Sequence, residues 1–183
     1  TLKDGKLGIL RKEGSWGRDK TVAVNVTLPA LNEIAAMGSG SVSADRIGGK
    51  ASVSIGGSGS VETTAVEAES LEVSIAGSGS YRGAGQARAL ELNIAGSGSA
   101  EMDGLKADSA EISIAGSGNA RFASDGKVKA SMVGSGEVRV KGRATCTVSA
   151  VGSGKLVCEN GATDEDAAPP RPPAPPPAPQ AKK

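Results

Sequence analysis

The side chains best placed to do chemistry are three glutamates, Glu72, Glu91 and Glu111, each five residues ahead of a Gly-Ser-Gly tripeptide. If the repeats stack, these carboxylates form a column. Such a column could face a basic partner, gather a divalent cation, or supply the acid and base of a polysaccharide-cleaving enzyme. More plainly, a row of like charges keeps a sheet face solvated and deters it from pairing with another sheet. A second stretch, Gly152-Ser153-Gly154-Lys155, superficially resembles a phosphate-binding loop. The glycine such a loop needs five residues before Gly154 is Ser149, and Leu156 follows the lysine, so a structural corner accounts for it.

Composition removes several other chemistries. The chain has no histidine, the commonest general base and transition-metal ligand. Cys146 and Cys158 are its only cysteines, too few for a disulfide framework or, without histidine, for a four-ligand zinc site. No repeat places an aspartate where a calcium-binding β-roll needs one. No catalytic, cofactor-binding or metal-ligating residue is therefore assigned. With 21 basic and 20 acidic residues the net charge is +1, which gives no field for steering nucleic acid. No apolar run approaches the roughly 20 residues of a membrane-spanning helix.

The elements that would position the glutamates follow from the repeat itself. Gly-Ser-Gly begins at Gly38, Gly57, Gly77, Gly96, Gly116, Gly134 and Gly152, always 18 to 20 residues apart. Counting back from each, the sixth, fourth and second residues are almost always apolar: the fourth-before column runs Ile34, Val53, Val73, Leu92, Ile112, Ala130, Val148. The residues between, such as Ser54, Ser74, Asn93 and Ser113, are small and polar. That alternation is a strand with one buried face. A second alternating stretch follows each tripeptide, with Val42, Val61, Tyr81, Ala100, Ala120, Val138 and Leu156 in one column.

A fixed period with two strand patterns per unit, built from Val, Ile, Leu and Ala, predicts an all-β parallel β-helix of about seven coils, a rod on the order of 35 Å long. Each corner has two glycines: Gly38 and Gly40, Gly57 and Gly59, Gly77 and Gly79, Gly96 and Gly98, Gly116 and Gly118, Gly134 and Gly136, Gly152 and Gly154. All fourteen are expected as structural corner residues permitting positive φ. The serines between them would form a column whose hydroxyls bond along the stack or to corner backbone groups. Cys146 and Cys158 both fall in inward columns, most simply as small core residues, alternatively as one disulfide stapling the last coil.

Residues 1–37 read as N-terminal strands leading into the first coil, with Leu2, Leu7 and Ile9 flanking the Asp4-Gly5 turn signal, Trp16 in a loop, and a strand over 21–28 with Val22, Val24, Val26 and Leu28 buried. Residues 38–160 form the repeat β-helix, one domain with 1–37. Residues 161–183, an acidic run followed by eight of the nine prolines, read as a disordered or polyproline II tail. The chain starts at Thr1 without methionine, so a removed leader is expected.

The repeated phrase Ile-Ala-Gly-Ser-Gly, at 75–79, 94–98 and 114–118, preceded by Leu-Pro-Ala-Leu at 28–31, resembles the DUF2807 family, described as an auto-transporter adhesin head domain. The resemblance covers roughly residues 1–160. It implies a right-handed parallel β-helix on an exported, envelope-associated bacterial protein, and it brings no catalytic residues because the family has no established reaction.

Three functions remain in order of preference. The first is a non-enzymatic surface that displays polar ladders to a protein or cell-surface glycan, its strength coming from multivalency. The second is a structural polymer stacking through its exposed ends, as in bactofilin cytoskeletal proteins. The third is a polysaccharide-active enzyme.

Overall fold

A computed structural model describes residues 2–3, 6–7, 24, 31–159 and 162–165. Strands β1 (Leu2–Lys3) and β2 (Lys6–Leu7) pair antiparallel, Leu2 opposite Leu7. Then come β3 (Glu33–Gly38), β4 (Ser41–Gly57), β5 (Ser60–Gly77), β6 (Ser80–Gly96), β7 (Ser99–Gly116) and β8 (Asn119–Gly134). The last are β9 (Glu137–Lys141), β10 (Thr145–Gly152), β11 (Lys155–Cys158) and β12 (Ala162–Glu165). All described pairings from β3 to β12 are parallel. The chain is a β-solenoid of about seven turns, with no helix among the described residues.

Each long strand wraps a whole coil, and equivalent residues stack directly. The fourth-before column pairs Ile34 with Val53, Val53 with Val73, Val73 with Leu92, and Leu92 with Ile112. These five are buried, as period-2 alternation requires. Corners are hydrogen-bonded too: the Ser78 amide donates to Gly57 O at 2.9 Å and the Ser80 amide to Gly59 O at 3.0 Å, and the pattern recurs up to Lys155. The serine column therefore bonds along the stack through its amides, with its side chains exposed. Those amides already have acceptors in the coil below, which leaves Ser153 and Lys155 none to cradle a phosphate.

The two glycines of a corner do different work. The first takes positive φ at every corner, from 96° at Gly38 to 125° at Gly116 and Gly134. The expectation of positive φ at the second is corrected: Gly40, Gly59, Gly79, Gly98, Gly118, Gly136 and Gly154 all lie outside the left-handed region. What selects glycine there is the coil below. A Cβ on Gly79 would lie 2.5 Å from Ile55 Cγ2, one on Gly118 2.6 Å from Ile94 Cγ2, and one on Gly136 2.9 Å from Ile114 Cγ2. Lack of a side chain thus lets an isoleucine of the preceding coil fill the corner. The Gly118 and Gly136 carbonyls take part as well, since the Glu137 amide donates to Gly118 O at 3.1 Å and the Lys155 amide to Gly136 O at 2.9 Å.

The core also has a third inward set. Ile47, Val66 and Leu105 are fully buried, with Ala68, Ala87 and Ala107 nearby in the same strand segments. Tyr81 is buried in the core, and its hydroxyl lies 2.7 Å from Thr63 Oγ1, so both polar atoms are satisfied. Burial pushes the Tyr81 hydroxyl's pKa up, partly offset by the bond to Thr63.

The C-terminal coil departs from the simple ladder. Cys146 and Cys158 form a disulfide rather than filling the core as thiols, because their columns face one another across the coil interior. Ala150, expected inward, is exposed. Strand β12 stacks on β10 only from Thr145 to Val148, so the rest of β10 has no described strand above it. That same β12 lies within the stretch expected as tail: it uses the backbone groups of the β10 edge, which otherwise need partners. Val24, expected buried, is 53% exposed and outside any strand, so no paired sheet gives it a buried side. Ile9, Trp16, the remainder of 21–28, and residues 166–183 lie outside the described residues.

Candidate functional site

The strand ending at each corner presents three outward columns. The outermost runs Glu33, Ser52, Glu72, Glu91, Glu111, Lys129, Thr147, with every neighbour in register. The middle one runs Ala35, Ser54, Ser74, Asn93, Ser113, Ser131, Ser149. The one nearest the corner runs Met37, Gly56, Ala76, Ala95, Ala115, Val133, Val151. Strand pleat makes this unavoidable once the intervening residues face the core.

Glu72, Glu91 and Glu111 are thus brought together on consecutive coils, all exposed. Asn93 Nδ2 donates to Glu91 Oε1 at 3.2 Å; Glu72 and Glu111 have no hydrogen-bond or ion-pair partner among the described residues. Coil spacing of about 4.8 Å sets the carboxylates in a line rather than around a point. Among the described residues no group of three acidic, cysteine or histidine side chains is arranged to hold a metal ion. Nor do the glutamates sit in a recess that excludes water, which acid–base catalysis on a sugar exploits.

Beside the ladder, the two inner columns form a shallow groove between Met37 and Val133, floored by Ser74, Ala76, Asn93, Ala95, Ser113 and Ala115. The outward side chains along it, from Ser54 and Gly56 to Ser113 and Ala115, are none of them larger than asparagine. Of the large apolar side chains exposed among the described residues, three share one column: Met37 at 75%, Val133 at 57% and Val151 at 69%.

The strand that follows each corner carries a different outward pattern, with charges of both signs. Arg82 Nε donates to Glu101 Oε2 at 2.8 Å and Lys141 Nζ to Asp103 Oδ1 at 2.7 Å, the second pair spanning two coils. Those bonds raise the pKa of Arg82 and of Lys141. Lys106 Nζ and the Arg143 amide both donate to Asp125, the lysine bond first among the causes that hold its carboxyl below the usual aspartate range. This face neutralises itself. The glutamate face does not, which makes it the candidate for contact with a partner.

The glutamate column and corner glycines stand out in the sequence; the apolar column does not, because Met37, Gly56, the alanines and the valines look unrelated until register aligns them. Its signal is positional: each is the residue immediately before a corner.

An unbranched β-solenoid with one face of mixed, ion-paired charges and one face with an exposed glutamate column belongs to the class of repeat proteins that present long, regular surfaces. The family model DUF2807, "Putative auto-transporter adhesin, head GIN domain", matches residues 1–144, and the chain belongs to that family. Neither a curated protein nor a solved structure matches the chain.

Proposed function

We propose that the protein is a non-enzymatic head domain of the bacterial cell envelope, exported, whose acidic face binds a partner bearing regularly spaced cationic groups. Residues 1–37 act with 38–165 as one unit, and 166–183 as a spacer. The observation that carries this is the in-register, exposed column of Glu72, Glu91 and Glu111 beside a flat floor of small side chains. Each carboxylate contributes only a weak surface contact in water, of about 0–1 kcal/mol. Three at fixed spacing act together, because the second and third contacts form at the high effective concentration set by the first. Membership of an adhesin-head family and the Cys146–Cys158 disulfide, which suits an oxidising compartment, favour this placement.

Partners of the right chemistry are basic protein segments and amino-bearing cell-surface glycans. Biolayer interferometry on an immobilised glucosamine polymer and its fully N-acetylated counterpart, with the full chain and its E72Q/E91Q/E111Q variant, tests the idea. Binding is expected to the amine polymer only, falling steeply with salt and at least tenfold in the variant. Equal binding by the variant, or failure to bind both this polymer and an array of basic peptides, would sink the proposal.

A further inference from the structure

We infer that the groove beside the glutamates is an interface with a second copy of this chain, the two rods packing face to face and antiparallel about a twofold axis through Ala95. The pairing is argued from the two columns beside the glutamates and sets the glutamates at its rim, so a partner on the acidic column competes with it.

The inference starts from the column nearest the corner, which carries no side-chain polar atom on any of its seven rungs. Single exposed apolar residues are ordinary, but a continuous apolar stripe along a whole soluble rod marks a contact surface. Its sizes are graded. In the antiparallel register Ala95 meets Ala95, Ala76 meets Ala115, Gly56 meets Val133 and Met37 meets Val151. Combined bulk is smallest and constant over the three central rungs, alanine on alanine, and larger at the two rungs beyond them on each side. Two twisted sheets packed face to face approach most closely where they cross and diverge toward their corners, so larger side chains belong at the ends and alanines at the centre. The stripe has that order.

The middle column is compatible with the same register. Asn93 meets Asn93 at the axis, Ser74 meets Ser113 and Ser54 meets Ser131, so small groups that can donate and accept face one another. Area is sufficient for a specific contact. Seven rungs at about 4.8 Å and three columns about 7 Å apart cover on the order of 600 Å² per copy. The total of about 1,200 Å² stands at the lower end of specific interfaces and fits a weak dimer.

Orientation follows from charge. Residues 31–118 carry eleven acidic and five basic side chains, whereas 119–159 carry three acidic and seven basic. Each rod is therefore bipolar, and an antiparallel pair sets the acidic coils of one copy beside the basic coils of the other. A parallel pair would set like against like. Antiparallel packing does place Glu91 near Glu91 and Glu72 near Glu111 at the rim. Those contacts oppose association, so neutralising them tightens the dimer.

Sedimentation velocity on the full chain from 1 to 500 µM tests the pairing, an order-of-magnitude range around the micromolar affinity of small interfaces. Wild type is expected to pass from monomer to dimer. A95E, which sets two charges together on the axis, and V133K are expected to weaken the dimer at least tenfold. V157K, on the strand after the corner, is expected to leave it unchanged, and E72Q/E91Q/E111Q to strengthen it. Circular dichroism confirms that each variant is folded, as outward positions allow. Register is read with a short bis-maleimide: a mixture of M37C and V151C chains crosslinks into a heterodimer, and neither variant crosslinks alone. The native disulfide holds the other two cysteines out of this reaction. A wild type monomeric throughout, a dimer indifferent to A95E and V133K, or M37C chains crosslinking to each other would each overturn the inference.

Discussion

Substituting alanine for glycine at four corner positions separates two costs that the stack combines. A Cβ on Gly98 would lie 2.5 Å from Ile75 Cγ2 and 2.9 Å from Gly79 O at ordinary φ, so G98A is pure crowding. Overpacking of this kind costs about 1–3 kcal/mol. Gly38 has φ +96° and nothing within 4 Å of its would-be Cβ, so G38A is pure backbone strain, again about 1–3 kcal/mol. At Gly96 both apply, with φ +118° and Gly77 O at 2.5 Å, and G96A is expected to cost about 3–5 kcal/mol. Gly40 has open space and no positive φ, so G40A is expected to stabilise by about 0.4–1 kcal/mol through the unfolded chain. The assay is guanidinium unfolding followed by circular dichroism, comparing midpoints at unchanged m. If G40A costs as much as G98A, the coil below is not what forbids a side chain, and the division of labour between the two glycines is wrong.

Three further outcomes follow from the core and the corners. Replacing Cys146 and Cys158 by serine releases a cross-link of sequence separation 12; the expected loss is about 3 kcal/mol, with amide exchange rising first in 145–159. T63V leaves the Tyr81 hydroxyl buried without its 2.7 Å partner and should cost about 1–3 kcal/mol; in a double-mutant cycle, adding Y81F to T63V should cost less than Y81F alone. Asp125, held below its ordinary pKa by Lys106, contributes stability that is complete above about pH 4 and drains away as pH falls through its lower folded value. Unfolding midpoints of wild type and D125N, measured downward from pH 5, should therefore converge as the aspartate protonates; a gap that widens on acidification contradicts the sign.

The repeat was legible because three constraints coincide at each corner. Positive φ selects the first glycine, contact with the coil below selects the second, and the strand leading in must alternate, so Val73, Ile75, Gly77 and Gly79 announce one geometry. Two identical glycines nonetheless conceal two different reasons, which is why positive φ read equally well at Gly116 and Gly118 or at Gly134 and Gly136. The other side of each coil lacks such coincidence. Between β4 and β5 the register slips at Gly49/Lys50, and between β7 and β8 it slips at Met102/Lys106 and Ala107/Ser109. Ile47, Val66 and Leu105 each stand nine residues after the corner before them but ten, eleven and eleven before the next, so counting back from the tripeptide does not align them. Residue type misled in one case: cysteine is small and apolar enough to fill a column unbridged. Only the opposition of two columns across the interior, which sequence spacing does not reveal, distinguishes a pair.

That opposition also explains how a narrow interior tolerates unlike coils. The positions of Cys146 and Cys158 have equivalents twelve residues apart in the coils below, Val128 with Val140 and Ala110 with Phe122, by direct register. The sizes compensate: the smallest partner, Ala110, stands with the largest, Phe122, and two middle-sized valines stand together. The next coil down sets Leu90 with Met102, both large, and the one below that sets Leu71 with Gly83, whose vacant side-chain space is taken by the Tyr81 ring. Interiors packed to crystal-like density transmit a mismatch outward. Compensation is thus local, at Ala110 with Phe122 and at Gly83 with Leu71 and the Tyr81 ring, and there it lets unlike coils stack without breaking the register that brings Glu72, Glu91 and Glu111 together.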